Sequence, residues 1–401
     1  MRIVDVNEFY SPTGGGVRTY VDRKMAILGS QGHELIVIAP AKADSVEQRP
    51  GGGRIFWVKA PTLVLDPNYG IFLEGAGICR LLDELHPDVV EASSPWRPLP
   101  IVGGWKGDAV KVYFAHNDNV GAYPLRWFEK LASRERIEGW FAWWTRYMAR
   151  HLRHYDAFVS NGPALFKRHA ARGLTVHASM ALGIQRGFFS PDHRDEALRA
   201  SLLEQCDLPP DAHLLLGLGR HHAEKRWPMI FDAVEMAGEK IPVGMVLIGS
   251  GVHTRRLERR LQNSPHIRLF RPVYDRVRLA RIMASCDALI HGSDAEPFGL
   301  VGLEGLASGL PLVAPDEGGV FEIALPDYAE TYRARDPRSA ADAILRLFAR
   351  DQVALHAAAR AAAGSVRTDR DHAIDLMRYY ETLVAEKRTR FPDWFAAPRP
   401  A

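Results

Sequence analysis

The stretch Ala288–Pro315, ALIHGSDAEPFGLVGLEGLASGLPLVAP, contains two short apolar runs separated by a turn and a helical segment. Its first run, Ala288–His291, predicts a strand, and the Pro-Phe-Gly sequence downstream predicts a turn. A helix would then run to Ser308, where a following glycine is typical of a helix end, and Leu312–Ala314 would form the next strand. This order of elements predicts a parallel sheet with a crossover helix.

Short apolar runs and amphipathic stretches alternate over most of the 401 residues. The further predicted strands are Arg2–Val6, Glu34–Ala39, Val89–Glu91, Val110–Ala115, Ala157–Ser160, Leu214–Leu218, Gly244–Ile248 and Ile267–Leu269. The predicted helices include Val17–Ser30, Phe72–Leu85, Met229–Ala237 and Thr254–Gln262. Alternation of strands and helices along the chain is typical of α/β folds.

The number of predicted strands, about ten, is too large for one ordinary open sheet. The segment Leu182–Glu196 contains two glycines, a proline and several charges, so it is a plausible linker. We therefore predict an α/β protein with two doubly wound, Rossmann-like domains, 1–182 and 183–372. Ligands of such sheets bind beyond the carboxyl ends of the strands, so two facing domains would form their site in a central cleft.

The composition is that of an ordinary globular protein, with 47% hydrophobic and 25% charged residues. The 51 basic and 48 acidic residues are too balanced for a surface devoted to nucleic acid. Three cysteines lie far apart, which argues against a zinc site or a disulfide framework. The N-terminus has a strand pattern rather than a signal sequence, and no apolar stretch approaches the ~18 residues of a membrane helix. We expect a cytoplasmic protein, with peripheral attachment to the inner face of the cell membrane as an alternative.

Two glutamates flank the start of the helix in the stretch quoted first. Glu296 precedes the turn, and Glu304 lies eight residues later, within the helix. The backbone N–H groups of Phe298–Val301 would begin this helix without acceptors, and such a terminus favours an anion such as a diphosphate. Glu304 cannot help to bind a phosphate, but sugar or ribose hydroxyls suit a carboxylate. The alternative is a solvated pair of capping residues.

The loop Arg220–Lys225, RHHAEK, directly follows the predicted strand Leu214–Leu218. Its first and last residues are cations at the carboxyl end of a strand, where they suit an anionic ligand. An ordinary charged surface loop is the alternative. The adjacent His221 and His222 suggest a metal, but no second cluster of ligands is apparent, so we expect none.

Two weaker signals lie in the N-terminal half. Gly15 and Gly16 stand between the first strand and the first helix, where glycines let a ligand approach the backbone closely. The surrounding pattern is neither G-x-G-x-x-G nor a P-loop. His116 ends the strand Val110–Ala115, where α/β proteins often place site residues, although a histidine with local hydrogen bonds is the alternative.

Together these motifs resemble those of glycosyltransferase family 4, a large retaining family with the GT-B fold, over nearly the whole chain. The most specific part is E-x7-E at Glu296 and Glu304, followed by R-x4-K at Arg220 and Lys225. The segments GGGVRTYVDRKMAILGSQGHELIVIAP, LIGSG and LGIQRGFF support it in the right order. The resemblance implies two Rossmann-like domains that face a central cleft, with a C-terminal helix, 373–401, packed back on the N-terminal domain.

The resemblance assigns residues of both domains to the phosphates of a nucleotide-diphosphate sugar. Gly15 and Gly16 would approach the phosphates, and Arg220 and Lys225 would neutralise the diphosphate leaving group. Phosphate or donor sugar would also accept hydrogen bonds from the backbone of Phe298, Gly299, Leu300 and Val301.

The resemblance also assigns the other parts of the donor. Glu296 would bind hydroxyls of the donor sugar, Glu304 would bind the ribose, and Val273 would contact the base through its backbone. His116 matches the family's active-site histidine near the transferred sugar. The catalytic set implied by the family is therefore His116, Glu296, Arg220 and Lys225.

The implied activity is retaining, metal-independent transfer of a hexosyl group from a UDP-sugar or GDP-mannose, with no cofactor. The acceptor would be a lipid-linked sugar, a glycolipid or a polysaccharide, and it would attack on the side from which the diphosphate leaves. Two alternatives stay open: a GT-B nucleotide-sugar epimerase, and a catalytically silent nucleotide-sugar-binding protein. Arg226 and Trp227 stand where the family frequently has a glycine, so we expect them at the rim of the donor site.

The segment Tyr123–His154 combines eight aromatic residues with seven Lys or Arg against three Glu. Helical spacing over Gly139–His154 places four apolar side chains on one face, namely Trp140, Trp144, Tyr147 and Met148. A separate basic stripe consists of Arg146, Arg150 and Arg153. Such a helix suits the headgroup region of an anionic membrane, and burial of the aromatics in the N-terminal core is the alternative.

Overall fold

The computed structural model describes residues 1–12, 16–63, 69–122, 124–129, 131–185 and 187–390. The chain forms two compact units. Unit 1 consists of Met1–Ala181 and Asp369–Ala401, and unit 2 is Leu182–Thr368. The sequence-based prediction places these divisions after residues 182 and 372. Unit 1 is discontinuous in sequence because unit 2 lies between its two segments.

Unit 1 contains an eight-stranded sheet with the order β3-β4-β2-β1-β5-β6-β7-β8. Its strands are β1 (Arg2–Val6), β2 (Glu34–Ala41), β3 (Ser45–Gln48), β4 (Arg54–Lys59), β5 (Val89–Ala92), β6 (Val110–Ala115), β7 (Ala157–Ser160) and β8 (Ala178–Ser179). The β3–β4 pair is antiparallel, and the other pairs are parallel. Strands β3, β4 and β8 are absent from the sequence-based prediction, which otherwise locates the strands of this sheet.

Helices of unit 1 pack on both faces of this sheet. They are α1 (Gly16–Ser30), α2 (Ala76–Leu85), α3 (Pro98–Gly104), α4 (Asn119–Ala122), α5 (Pro124–Phe128), α6 (Arg134–Trp140), α7 (Ala142–Leu152) and α8 (Pro163–Ala171). The prediction of a helix over Phe72–Leu85 is wrong in its first turn, because Phe72 lies in a loop and buries its ring in the core.

The C-terminal helix, Asp369–Arg390, belongs to unit 1. Its apolar face, which includes Leu376 and Met377, packs into the same core cluster as β1 and α1. Tyr380 on this helix donates a hydrogen bond to Glu91 Oε1 at 2.7 Å, and the Glu91 carboxylate also pairs with Lys24. The helix that packs on unit 1 spans Asp369–Arg390, whereas the sequence-based prediction gives 373–401, and residues 391–401 lie outside the described residues.

Unit 2 contains a parallel six-stranded sheet with the order β11-β10-β9-β12-β13-β14. Its strands are β9 (His213–Leu218), β10 (Val243–Ile248), β11 (Ile267–Phe270), β12 (Ala288–Ile290), β13 (Leu312–Pro315) and β14 (Ala329–Tyr332). Its helices are α9 (Glu196–Gln205), α10 (Trp227–Gly238), α11 (Thr254–Leu261), α12 (Arg276–Ser285), α13 (Leu300–Ala307), α14 (Pro337–Ala349) and α15 (Gln352–Ala363). The predicted α/β class is confirmed, and β14 is the strand that the prediction omits.

Both sheets have a point at which the strand order reverses, between β1 and β5 in unit 1 and between β9 and β12 in unit 2. In an open α/β sheet, the loops that leave two such strands in opposite directions form a crevice at their carboxyl ends. The loops after β9 and β12 carry the two most specific motifs of the sequence. The fold thus brings these motifs to one edge of the unit 2 sheet.

Candidate donor-sugar site

Three side chains from the two loops that follow β9 and β12 meet at the carboxyl edge of the unit 2 sheet. Lys225 Nζ donates a hydrogen bond to Glu296 Oε2 at 2.5 Å, and His291 Nε2 lies 2.9 Å from the same oxygen. Lys225 and His291 are buried, and Glu296 is half-buried. The structure therefore joins the R-x4-K motif to the first glutamate of E-x7-E. His291 is not among the site residues predicted from the sequence, although it is the last residue of the predicted strand Ala288–His291.

This contact fixes the charge of the carboxylate. Burial alone raises the pKa of Glu296, but the positive charge of Lys225 and the neighbouring His291 outweigh burial and lower the pKa below its ordinary value. Burial in turn lowers the pKa of His291. Glu296 is therefore an ionised hydrogen-bond acceptor at neutral pH, as binding of sugar hydroxyls requires.

Arg220 stands at the other end of the loop after β9 and is exposed. Its Nη2 donates a hydrogen bond to Glu224 Oε1 at 2.9 Å, and its carbonyl accepts one from Trp227 Nε1 at 3.0 Å. The expectation that Trp227 lies at the rim of the donor site is wrong, because Trp227 is 1% exposed and packs in the core of unit 2. The buried indole holds the loop against the core of unit 2. The two cations of the loop, Arg220 and Lys225, lie at the carboxyl edge of the sheet.

Arg226, the other residue expected at the rim, is held by an ion pair. Its Nε donates a hydrogen bond at 2.8 Å to Oδ1 of Asp294, which is buried. The backbone of Arg226 adopts a left-handed conformation with φ of 49° between the short turn Ala223–Lys225 and α10. Arg226 thus connects the R-x4-K loop to the loop that precedes Glu296.

The turn before α13 depends on two glycines. Gly299 has φ of +79° and caps the helix, a conformation that favours glycine. The N–H of Gly319 donates to the Glu296 carbonyl at 2.8 Å, and a Cβ at Gly319 would lie 2.3 Å from the carbonyl carbon of Phe298. The backbones of the two segments therefore lie in close contact, which explains the Gly318-Gly319 pair that follows β13.

The helix N-terminus lies slightly later than expected. Helix α13 begins at Leu300, and the N–H of Leu303 donates to the Gly299 carbonyl at 3.2 Å. The donors at the helix start are therefore those of Leu300, Val301 and Gly302, while Phe298 and Gly299 lie in the preceding turn. Such a terminus attracts an anion.

The remaining residues predicted for unit 2 lie near this edge. Glu304 is half-buried on α13, three residues after Val301 and therefore on the same side of the helix. Val273 follows β11 and packs its side chain against the core of unit 2. Among the described residues, no group of three His, Cys, Asp or Glu side chains is arranged to hold a metal ion.

In unit 1, the predicted glycines are only partly described. Gly15 lies outside the described residues, and Gly16 is the first, exposed residue of α1. A Cβ at Gly16 would meet no described atom within 4 Å. Packing within unit 1 therefore does not require a glycine at this position.

His116 lies directly after β6, as predicted, and is buried. Its ring meets the edge of the Tyr20 ring, with 5.4 Å between centroids, and Tyr20 contacts His372 at 2.9 Å. Burial, with smaller contributions from the charges of Lys24 and His372, lowers the pKa of His116 to about 3. His116 is therefore neutral at physiological pH. Its Nε2 has no hydrogen-bond partner among the described residues.

The aromatic segment Tyr123–His154 divides into buried and exposed parts; Tyr123 and Lys130 lie outside the described residues. The prediction of one helix over Gly139–His154 is wrong, because α6 ends at Trp140 and α7 begins at Ala142. Met148 is buried, and Trp144 and Tyr147 pack against the core of unit 1. The exposed aromatics are Trp127, Trp140 and Trp143, which are 63%, 55% and 53% exposed.

Two of these exposed side chains, Trp140 and Trp143, are linked through neighbouring aromatic rings. Phe128 stacks edge-on against Trp140 at 5.8 Å and lies 6.3 Å from Phe141, which in turn lies 6.4 Å from Trp143. The basic residues Arg146, Arg150 and Arg153 are also exposed on α7 or at its end. In the described part of the chain, no helix is both long and apolar enough to cross a bilayer.

Two family models match consecutive parts of the chain. The model described as Glycosyltransferase Family 4 matches residues 14–207, and the model described as Glycosyl transferases group 1 matches residues 212–350. Together they span both units and all the motifs described above.

Individual relatives are similar over most of the chain. A GDP-mannose-dependent alpha-(1-6)-phosphatidylinositol dimannoside mannosyltransferase from Mycobacterium tuberculosis is 28% identical over 82% of this chain and 82% of its own length. A GDP-mannose-dependent alpha-mannosyltransferase from the same species is 27% identical over 81% of this chain and 82% of its own length. Sucrose-phosphate synthase from Thermosynechococcus elongatus superimposes with a TM-score of 0.74 at 19% identity, covering 96% of this chain and 100% of that one. The chain has the GT-B fold and belongs to glycosyltransferase family 4.

Proposed function

We propose that this glycosyltransferase moves a hexosyl group from a nucleotide-diphosphate sugar to a glycolipid or another lipid-linked or polysaccharide acceptor, with retention of anomeric configuration. The observation that carries the proposal is the contact of Lys225 and His291 with Glu296 at the edge where α13 begins. A cation, an ionised acceptor and a helix N-terminus are the groups that a sugar diphosphate needs.

GDP-mannose is the donor that we propose first. Two relatives that match more than four-fifths of this chain are named as GDP-mannose-dependent enzymes, and one of them is named for a phosphatidylinositol dimannoside acceptor. A UDP-sugar stays as the alternative donor, because Val273, the residue proposed to contact the base, would do so through its backbone, and no side chain has been assigned to the base.

The proposed chemistry needs charge neutralisation more than acid–base catalysis. The bond between the anomeric carbon and the diphosphate oxygen breaks while the acceptor oxygen bonds to the same carbon on the same face. The leaving phosphate oxygen takes the acceptor proton. Lys225, Arg220 and the start of α13 would stabilise the charge that develops on the diphosphate. Because these groups supply a positive field, we propose that no divalent metal is required.

Two residues would position the sugar. Glu296 would accept hydrogen bonds from sugar hydroxyls, and Lys225 and His291 would keep its carboxylate ionised and fixed. His116 would meet the substrate as a neutral imidazole, because its pKa is too low for an imidazolium at physiological pH. It would therefore contribute a hydrogen bond and no charge.

The acceptor proposal includes a membrane. Three exposed tryptophans and four exposed arginines share the segment Trp127–Arg153, and this combination suits an interface with anionic headgroups. The enzyme would then bind to the membrane surface that contains its lipid acceptor.

The first experiment is a thermal-shift measurement with saturating GDP, UDP and ADP. A ligand at about 100 times its Kd adds roughly 2.7 kcal/mol of stability, which corresponds to a shift of a few degrees. We expect GDP to give the largest shift and Glu304→Ala to abolish it. Glu239→Ala, an exposed glutamate at the end of α10, is the matched control and should keep the shift. Absence of any shift with all three nucleotides would contradict the donor site.

The second experiment identifies the reaction. Incubation with GDP-mannose and a lipid extract should release GDP and produce an α-linked mannolipid, read by NMR of the anomeric proton. A β-linked product would contradict retention. If the product is an epimerised nucleotide sugar and no GDP is released, the protein is an epimerase and the proposal is wrong.

A further inference from the structure

We propose that Asn161 and Asn119 of unit 1 accept hydrogen bonds from the hydroxyls of a polyhydroxylated ring, a hexose or an inositol, that binds beside His116. The inference rests on the proposed function for the class of ligand. It adds two binding residues that neither the motifs of the sequence nor the family roles assign.

The sheet register places Asn161 next to His116. Strands β6 and β7 are paired with Ala115 opposite Ser160, and the next residue of each strand is His116 and Asn161. The N–H of Asn161 donates to the Ala115 carbonyl at 3.3 Å. Asn161 Nδ2 donates to the His116 carbonyl at 2.9 Å. With its amide nitrogen engaged, the Asn161 side chain has its oxygen left as an acceptor.

In the loops that follow β6 and β7, three buried polar atoms have no hydrogen-bond partner in the described ranges: Asn161 Oδ1, Asn119 Oδ1 and His116 Nε2. Asn161 is 4% exposed and Asn119 is 7% exposed, so bulk water does not readily satisfy them. Buried polar groups in folded proteins are nearly always paired, and each exception requires an explanation. Three such atoms in the loops that follow two adjacent strands would be explained by a ligand with hydroxyl groups.

The loop that carries Asn119 is held in place. Asp118 is buried, and both its carboxylate oxygens accept hydrogen bonds from Arg172, at 2.5 and 3.0 Å. Arg172 Nη2 also donates to Glu138 on α6 at 3.1 Å. This bidentate pair keeps the loop from rearranging to satisfy Asn119 internally, so the binding atoms are preorganised.

The chemistry of these atoms selects the ligand. Two are amide oxygens, which accept and cannot donate, and the third belongs to a neutral imidazole, which can do either. An anion such as a carboxylate or a fully ionised phosphate has only acceptor atoms, so it cannot donate a hydrogen bond to these oxygens and is a disfavoured ligand. A ring with neighbouring hydroxyls offers several donors at once. The transferred sugar and the acceptor are both such rings, and the experiment separates them.

The test uses the full chain and four probes: methyl α-D-mannopyranoside and myo-inositol by saturation-transfer NMR, and GDP-mannose and GDP by calorimetry. We expect Asn161→Ala and Asn119→Ala each to lower the affinity for a hydroxyl-rich probe about five- to ten-fold, which is the size of one net hydrogen bond. The affinity for GDP should not change. A lower affinity for GDP-mannose would identify the bound ring as the transferred sugar. A lower affinity for methyl mannoside or inositol would identify it as the acceptor.

Asn7→Ala is the matched control. Asn7 is buried at the end of β1 in the same sheet, but Nδ2 donates to Asp5 Oδ2 and Oδ1 accepts from the N–H of Phe9, both at 2.9 Å. The Asn7→Ala variant should have a lower Tm but an unchanged affinity for every probe.

Two results would overturn the inference. One is equal affinity of wild type and both asparagine variants for every hydroxyl-rich probe that binds. The other is a wild-type protein that binds none of the three hydroxyl-rich probes. If GDP does not bind but Asn161→Ala still weakens methyl mannoside or inositol, the proposed donor fails and the inference stands.

Discussion

Lys225 and Glu296 are 71 positions apart in the sequence, yet Lys225 Nζ lies 2.5 Å from Glu296 Oε2. The pair connects the loop after β9 to the turn before α13, and the two strands that carry these segments are neighbours in the sheet. A charge pair that is largely removed from solvent is costly to break, because the partner left behind is an unpaired charge.

We therefore expect Lys225→Met to lower the free energy of unfolding by about 3 kcal/mol and to abolish GDP stabilisation. The double variant Lys225→Met/Glu296→Gln should recover part of the stability, because no charge then remains unpaired. Urea denaturation of the single and double variants gives the coupling. Lys240→Met, an exposed lysine, is the control and should change little. If the loss in the double variant equals the sum of the losses in Lys225→Met and Glu296→Gln, the pair is not coupled.

The low pKa of His116, about 3, predicts a specific pH dependence. The unfolded chain protonates this histidine below pH ~6.5, whereas the folded chain keeps it neutral until about pH 3. Its contribution is therefore fully present above pH ~6.5 and is lost as the pH falls, by up to ~1.4 kcal/mol per pH unit.

His116→Gln should accordingly flatten the decline of Tm between pH 6.5 and 4. The exposed His86, replaced by Gln, serves as the control. Identical Tm profiles for wild type and His116→Gln would contradict a neutral, buried imidazole. In the folded protein, the His116 ring should also show no NMR titration between pH 5 and 8.

Gly319→Ala should disturb the donor site through the backbone. The new Cβ would lie 2.3 Å from a backbone carbon of Phe298, so the turn before α13 must move. We expect a loss of about 1–3 kcal/mol in unfolding free energy and a weaker shift with GDP. Gly238→Ala is the control, because its nearest atom would lie at 3.6 Å, an ordinary contact. Full retention of GDP binding in Gly319→Ala would mean that the turn tolerates displacement.

The exposed tryptophans predict membrane binding. Trp127→Ala/Trp143→Ala should reduce flotation with vesicles that contain phosphatidylglycerol, with little change in Tm, because both side chains are more than half exposed. Val353→Ala, in unit 2 and 81% exposed, controls for loss of any exposed apolar side chain. Replacement of Arg146 and Arg150 by Gln should weaken binding to anionic vesicles selectively. Unchanged flotation in both the tryptophan and the arginine variants would contradict a membrane surface.

Much of the fold follows from local patterns. The central strands β1, β6 and β9 are mostly apolar runs, and such runs predict buried parallel strands. Of the four strands absent from the prediction, β3, β8 and β14 lie at the edges of their sheets. An edge strand buries fewer side chains, so β3 reads SVEQ and has no apolar pattern to detect.

The site could be predicted in its parts but not in its contacts. The E-x7-E and R-x4-K spacings locate Glu296 and Lys225, yet their pairing depends on which strands are neighbours. His291 and Asn161 follow strands in the sequence and differ from other polar residues only once register and burial are known. The break between α6 and α7 at Phe141 interrupts a helical pattern that continues in sequence, so periodicity alone could not reveal it.

The hydrogen bond from Tyr380 to Glu91 has a consequence for the order of synthesis. The ribosome completes unit 2 before it makes the helix Asp369–Arg390, and this helix covers the Lys24–Glu91 pair in the middle of unit 1. Before this helix is made, the Lys24–Glu91 ion pair and the apolar residues around it are uncovered on one side. The domain whose translation begins first is therefore the one that finishes folding last, and a nascent chain halted before Asp369 would present an incomplete core.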